Sequence, residues 1–257
     1  MTVNVNRIKQ AWSSSRPAFG FWSTIPDSFG IELIAGLDLD YVCVDQQHGV
    51  VDYASMVSMV RTIKFAGAAP IVRVPYNEPW LLMRALDAGA LGVIVPMVNN
   101  ADETARAVAA CRFPPEGARS YGPIRASSVI GSKDPEALAN EVLCIVQIET
   151  LEGLGNVEEI AATPGLDGIY IGPADLALGL GLPLDLSDGK PEHDEAVERI
   201  REACRKNNIA VGLHGTSGES AREYAEQGFS MVNVGVDYLL FPAAVRQEVH
   251  AARSQRV

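Results

Sequence analysis

The chain has few cysteines, few lysines and no long hydrophobic run, and each shortage removes a class of function. Its four cysteines, Cys43, Cys111, Cys144 and Cys204, are scattered with no CxxC spacing. Cys43 and Cys144 lie inside apolar runs and read as reduced core residues. No apolar stretch approaches the roughly 20 residues of a membrane span. The opening segment, MTVNVNRIKQAWSSSRP, lacks the apolar core of a secretory signal, so a cytoplasmic protein is expected. Basic residues are outnumbered by acidic ones, 21 to 32, for a formal net charge of −11. That balance argues against a nucleic-acid or anionic-membrane surface, and an anionic small molecule would have to be drawn by a local cation. The lysines are Lys9, Lys64, Lys133, Lys190 and Lys206, and none ends a predicted strand. Imine chemistry on a desolvated lysine is therefore not expected. There is no GxGxxG fingerprint, and GSKDPE (131–136) lacks the GxxxxGK[ST] frame of a phosphate loop.

What the chain does have is a regular alternation. Strand-like runs occur at 18–22 (AFGFW), 40–45 (DYVCVD), 69–74 (APIVRV), 91–97 (LGVIVPM), 143–149 (LCIVQIE), 167–172 (DGIYIG), 209–214 (IAVGLH) and 229–235 (FSMVNVG). Between them lie helix-like stretches such as YASMVSMVRTIKFAG, NADETARAVAACR and LEGLGNVEEIAA. The runs are nearly continuous in apolar residues, as expected of strands covered on both faces. Eight β-α units predict a closed (β/α)₈ TIM barrel, α/β in class, with residues 1–257 as one domain. A 257-residue chain that is 47% hydrophobic is large enough for that single core. Two stretches exceed ordinary loops, 113–137 after strand 4 and 180–196 after strand 6. Both are expected at the catalytic end of the barrel, where loop length serves binding.

In such barrels chemistry sits at the C-terminal ends of the strands. Those positions hold Trp22, Asp45 with His48, Arg73, Glu149, Gly172 to Asp175, Leu213 with His214, and Gly235. Glu149 and Asp175 end consecutive strand-like runs with one helix-like stretch between them, so parallel packing would bring both to one end of the sheet. Two hard oxygen donors there suit a divalent cation such as Mg²⁺ or Mn²⁺. The turn Gly172-Pro173-Ala174-Asp175 would leave the amides of Ala174 and Asp175 free for a carboxylate. Arg73 is a permanent cation in an apolar strand and needs an anionic partner, either in a structural salt bridge or on a developing enolate oxygen. Asp45 stands three residues before His48 and could fix its tautomer. His214 has no acid nearby in sequence and ranks second, while His193 and His250 fall on polar helical faces and read as solvated.

These motifs are collinear with a known group. GFWSTIPD, a strand ending D-x-x-H, PIVRVP, LDAGALGVIVPMVNNADE, RFPPEGARS, VQIET, DGIYIGPADL and the late VGVD run through nearly the whole chain. The chain resembles the HpcH/HpaI family of metal-dependent pyruvate aldolases, which includes 4-hydroxy-2-oxoheptanedioate aldolase and is related to macrophomate synthase. The resemblance implies a class II aldolase that reversibly cleaves 4-hydroxy-2-oxo acids to pyruvate and an aldehyde through a metal-bound pyruvate enolate. It implies Glu149 and Asp175 as ligands of Mg²⁺, Mn²⁺ or Co²⁺, with Gln147 near them. Arg73 would meet the enolate oxygen, and His48 with Asp45 would handle the proton. Gly172, Ala174 and Asp175, with Trp22 and Leu213, would bind substrate, with Gln47, Asp87 and Arg119 in supporting positions. It further implies a homohexamer, a dimer of trimers, in which the C-terminal helix is exchanged between subunits. One departure stands out: the family strand often ends D-x-E-H, whereas this chain carries Gln47 in place of that acid. The rival readings are oxaloacetate decarboxylation through the same enolate, a malyl- or citramalyl-type CoA-ester lyase, and a non-catalytic barrel that binds oxo acids.

Overall fold

β-branched and aromatic residues dominate the eight runs, and each becomes a strand: β1 (Ala18–Ser23), β2 (Tyr41–Asp45), β3 (Ala69–Arg73), β4 (Gly92–Val95), β5 (Leu143–Ile148), β6 (Gly168–Ile171), β7 (Ala210–Leu213) and β8 (Met231–Val236). The computed structural model describes residues 5–185 and 189–254. Each strand pairs in parallel with the next, and β8 pairs with β1 to close the barrel. Closure removes every sheet edge, and the intervening helices cover the outside.

Strand periodicity divides the core in two. Val42, Val44, Val72, Val93, Val146, Ile169, Ile171 and Leu213 belong to the layer between barrel and helices. Tyr41, Cys43, Ile71, Ile94, Ile145, Tyr170 and Met231 fill the interior with Trp22. The interior tyrosines need glycine beside them. A Cβ at Gly212 would lie 2.5 Å from the Tyr170 ring, so β7 can lie against that ring only without a side chain there. All four cysteines are buried and free.

The stretch expected as one helix at 151–162 is two, Leu151–Gly155 and Val157–Ala161. Asn156 leaves helical geometry between them, and its side-chain amide donates to the Asn99 carbonyl at 2.8 Å; Gly153 and Gly155 weaken the first piece further. The long segment 113–137 is not at the catalytic end. It follows the helix Ala101–Cys111 and leads into β5, which places it at the opposite, N-terminal end of the barrel. Arg125 Nε is anchored there on the Ala88 carbonyl at 2.7 Å. The stretch 180–196 does reach the cavity at the catalytic end through Leu184; residues 186–188 of it lie outside the described residues. His193 is buried, not solvated, because it shares the inward face of the helix Pro191–Asn207 with Ala196 and Ile200.

Candidate active site

At the C-terminal end of the barrel lies a cavity of about 740 Å³. Its wall includes Trp22, Asp45, His48, Arg73, Gly172 to Asp175, and His214. Five different strands or the loops after them supply these groups, and parallel register is what brings them together. Asp45 of β2 stands directly beside Arg73 of β3. Trp22 ends up 1% exposed, with its ring 5.4 Å from that of Tyr170.

Asp45 is the most heavily bonded acid in this wall. Its carboxylate accepts from Arg73 Nε at 2.9 Å and from Arg73 Nη2, and Trp22 Nε1 donates to it at 3.2 Å. The backbone amides of Gln47 and His48 donate at 2.9 and 3.2 Å. Burial alone would raise this carboxyl, but the bonds and charge of Arg73 outweigh it and hold Asp45 below the usual carboxylate range. The pair keeps Arg73 cationic in spite of burial. The guanidinium also lies 5.0 Å from the Trp22 ring centroid. Its Nη1 has no hydrogen-bond partner among the described residues, since Nε and Nη2 are the atoms taken up by Asp45.

This network corrects the expected Asp45–His48 dyad. Asp45 accepts from the His48 backbone, not from its imidazole, because the neighbouring strand delivers a guanidinium that occupies both carboxylate oxygens. The His48 side chain is exposed and faces the cavity. Gln47 is half-buried, and its Oε1 is enclosed with no partner.

Glu149 follows β5 and is 2% exposed. Its Oε1 accepts from the Met97 amide at 2.8 Å and its Oε2 from Gln147 Nε2 at 2.6 Å. Burial raises its pKa, and the nearby charge of Asp175 raises it further, against the opposing bonds from Met97 and Gln147 and the charge of Arg73. The turn after β6 lies directly on these groups. A Cβ at Gly172 would sit 2.5 Å from Glu149 Oε2 and 2.6 Å from Gln147 Nε2, so only glycine lets the turn approach. Gly172 precedes the helix Pro173–Gly179, with Pro173 in its first turn and no side-chain cap. Asp175, in that turn, is exposed to the cavity.

These residues fit a divalent cation. A desolvated carboxylate stands near a second one, and the buried Gln147 Oε1 has no partner. Among the described residues no cluster of three or more His, Cys, Asp or Glu side chains is suited to hold a metal. An ion here would therefore draw on two carboxylates and complete its sphere with other oxygens.

Three expected site residues lie elsewhere. Leu213 is buried among the strand-helix layer, because its neighbours Gly212 and His214 take the inward positions on β7. Asp87 and Arg119 pair with each other at 2.7 Å at the N-terminal end of the barrel, where the helix Pro79–Asp87 ends. His214, ranked second from sequence, is a full member of the wall. Its ring meets Trp22 edge-on at 4.9 Å and Tyr170 at 6.4 Å. Burial, with the charge of Arg73, lowers its pKa to about 4, Asp45 opposing only in part.

Sequence reasoning also passed over Asp237. It is 2% exposed at the end of β8 and gathers the Ser23 and Thr24 hydroxyls and the Thr24 and Ile25 amides at 2.6–3.0 Å. It thereby fixes the β1 loop, whose Thr24 and Ile25 form part of the cavity wall. An acid closing a strand, as Asp45 does, was the signal that could have found it.

Comparison with known proteins identifies the family. The chain is 36% identical over 250 residues to a hydroxypyruvate/pyruvate aldolase of Rhizorhabdus wittichii, an alignment covering 97% of this chain and all of the relative. It is 36% identical over 241 residues to a 4-hydroxy-2-oxo-heptane-1,7-dioate aldolase of Salmonella typhimurium, covering 91% of this chain and 90% of that one. The fold matches the crystal structure of a family protein from Burkholderia cenocepacia J2315 with a TM-score of 0.88 at 34% identity, over 97% of this chain and 100% of that one. Residues 19–244 match the family model for HpcH/HpaI aldolase/citrate lyase, and the chain belongs to that family.

Proposed function

We propose that this enzyme is a class II aldolase that cleaves 4-hydroxy-2-oxo acids to an aldehyde and pyruvate, or a close three-carbon analogue, and runs the condensation in reverse. The observation that carries this reading is the uncommitted Arg73 Nη1 in a cavity that Asp175 also lines, with the buried Glu149 near enough to feel the charge of both. Glu149 and Asp175 would hold a divalent cation, Mg²⁺, Mn²⁺ or Co²⁺. When bound, that ion supplies Lewis acidity at the 2-oxo carbonyl.

In the cleavage direction the C4 hydroxyl gives up its proton to His48, directly or through a water. The C3–C4 bonding pair then moves toward C2, the aldehyde leaves, and the charge collects on the C2 oxygen until C3 takes up a proton, from water or from the protonated His48, to give pyruvate. Arg73 Nη1 donates to that oxygen while Asp45 holds the guanidinium in place, so no reorganisation is needed as charge develops. The amides of Ala174 and Asp175 take the C1 carboxylate. Trp22 closes the floor against water. Decarboxylation of oxaloacetate would pass through the same enolate and is expected as a side activity.

The assembly we propose is a homohexamer in which the C-terminal helix is exchanged between copies. Supporting this, the helix Asp237–Arg253 has only Asp237 buried and exposes Leu239, Leu240, Phe241, Val245 and Val249. No helix among the described residues is long and apolar enough to cross a membrane, and we propose a cytoplasmic location.

The reading is tested by comparing two reactions in His48→Ala. Pyruvate release from a panel of 4-hydroxy-2-oxo acids should fall about 10²-fold or more. Oxaloacetate decarboxylation, which removes no hydroxyl proton, should fall much less. Equal losses would take His48 out of the proton transfer.

A further inference from the structure

Within the wall described above, His214 has no task in the cleavage itself. It sits at the floor of the cavity, edge-on to the buried Trp22 and close to Tyr170. The mouth is formed instead by Val50, Leu184 and Tyr238, which are 78%, 60% and 56% exposed. Donor and acceptor are thereby separated by depth. The three-carbon donor must reach Arg73 and the Gly172 turn, while the aldehyde enters from the mouth.

Most polar groups on this floor are already paired. Trp22 Nε1 is taken by Asp45, and the Tyr170 hydroxyl donates to Asn233 Oδ1 at 2.8 Å. Neither ring nitrogen of His214 is hydrogen-bonded to a described residue. With the donor's carboxylate at the Gly172 turn and its C2 oxygen at Arg73, C3 and its substituent are what remain to face His214 and Trp22. A floor built only for a methyl group would be apolar throughout; this one offers an imidazole.

Resting on the aldolase reading, we propose that His214 is a specificity residue that recognises a hydroxyl on C3 of the donor, so that the enzyme takes 3-hydroxypyruvate-type donors in preference to pyruvate. The ring is neutral at ordinary pH, because burial and Arg73 disfavour its protonation. A neutral imidazole carries one N–H donor and one bare acceptor nitrogen, which matches a hydroxyl. A second carboxylate at C3 would need a cation there, and the ring does not provide one. A site that hydrogen-bonds a substrate hydroxyl discriminates against the analogue lacking it, since the polar group is then left unpaired.

The test uses the metal-loaded enzyme with one common aldehyde and two donors, pyruvate and 3-hydroxypyruvate, measuring kcat/KM for addition and C3 proton exchange in D₂O for each. The wild type should favour 3-hydroxypyruvate. In His214→Leu the ratio of 3-hydroxypyruvate to pyruvate should fall at least about tenfold, whatever loss both donors share. His214→Gln, which keeps a donor and an acceptor, should recover part of that ratio. A ratio unchanged within twofold in His214→Leu overturns the assignment. So does a wild type that enolises pyruvate but not 3-hydroxypyruvate, and that result leaves the aldolase reading intact. A wild type that exchanges neither donor overturns the aldolase reading and this inference with it.

Discussion

Asp45→Ala tests the network on which the site is built. The mutation removes the acceptor of five hydrogen bonds and leaves Arg73 with no counter-ion, although its side chain is only 11% exposed. Breaking a buried pair from one side costs about 3–5 kcal/mol, mostly the penalty of the charge left behind. At about 2–4 °C per kcal/mol for a chain of this size, the melting temperature at pH 7 should drop by roughly 6–20 °C. Asp45→Asn keeps an oxygen for the Gln47 and His48 amides and should lose less. The sign with pH follows from the lowered folded-state pKa of Asp45. Stability from a depressed carboxyl is present above the unfolded value, near 3.8, and is lost as pH falls through the folded one. The gap between wild type and Asp45→Ala should therefore shrink below about pH 4. The assay is thermal unfolding from pH 3 to pH 8. A variant as stable as wild type at pH 7, or a gap that does not narrow at low pH, would refute the reasoning.

Arg73→Lys keeps the charge but loses the planar fork, so proton exchange at pyruvate C3 in D₂O should fall by about 10²–10³, the usual cost of one oxyanion donor; near-normal exchange would leave Arg73 a purely structural partner of Asp45. Leu213→Ala should destabilise by about 2–5 kcal/mol in urea unfolding, as for a core leucine, with kcat/KM changed less than about threefold; a selective loss of activity at unchanged stability would return Leu213 to the site. His214 has a folded pKa of about 4 against 6.5, so its contribution is complete above pH 6.5 and is lost as pH falls toward 4. Urea unfolding of His214→Leu should accordingly lose up to about 3 kcal/mol less than wild type over that interval, at 1.36 kcal/mol per pH unit; parallel pH profiles would contradict it.

How much of this was legible in the sequence depended on whether one residue or a relation between residues carried the information. The strands could be read because both faces of β2, β4 and β5 are apolar, and the barrel followed from eight repeats. Strand-end chemistry could be read too, which placed Arg73 and the Gly172 turn at the cavity. Parity could not be read. A one-residue shift separates Leu213, in the helix layer, from His214, in the lumen, and an apolar run covered on both faces gives no alternation to tell them apart. Cross-strand register was equally hidden, so the local neighbour His48 was expected to receive the Asp45 carboxylate that Arg73 takes. The place of segment 113–137 is not legible from its length, which does not say which end of the barrel the preceding helix reaches.

The central claim, that Glu149 and Asp175 hold the ion that makes enolisation possible, is tested most directly by C3 proton exchange of pyruvate in D₂O. Metal-stripped protein should exchange no faster than buffer, and single additions of Mg²⁺, Mn²⁺ or Co²⁺ should restore exchange in wild type. The same additions should fail in Glu149→Gln and Asp175→Asn, each of which should also bind the ion more weakly by calorimetry. Full exchange in chelator-treated wild type, or normal metal-dependent exchange in both variants, would contradict the account.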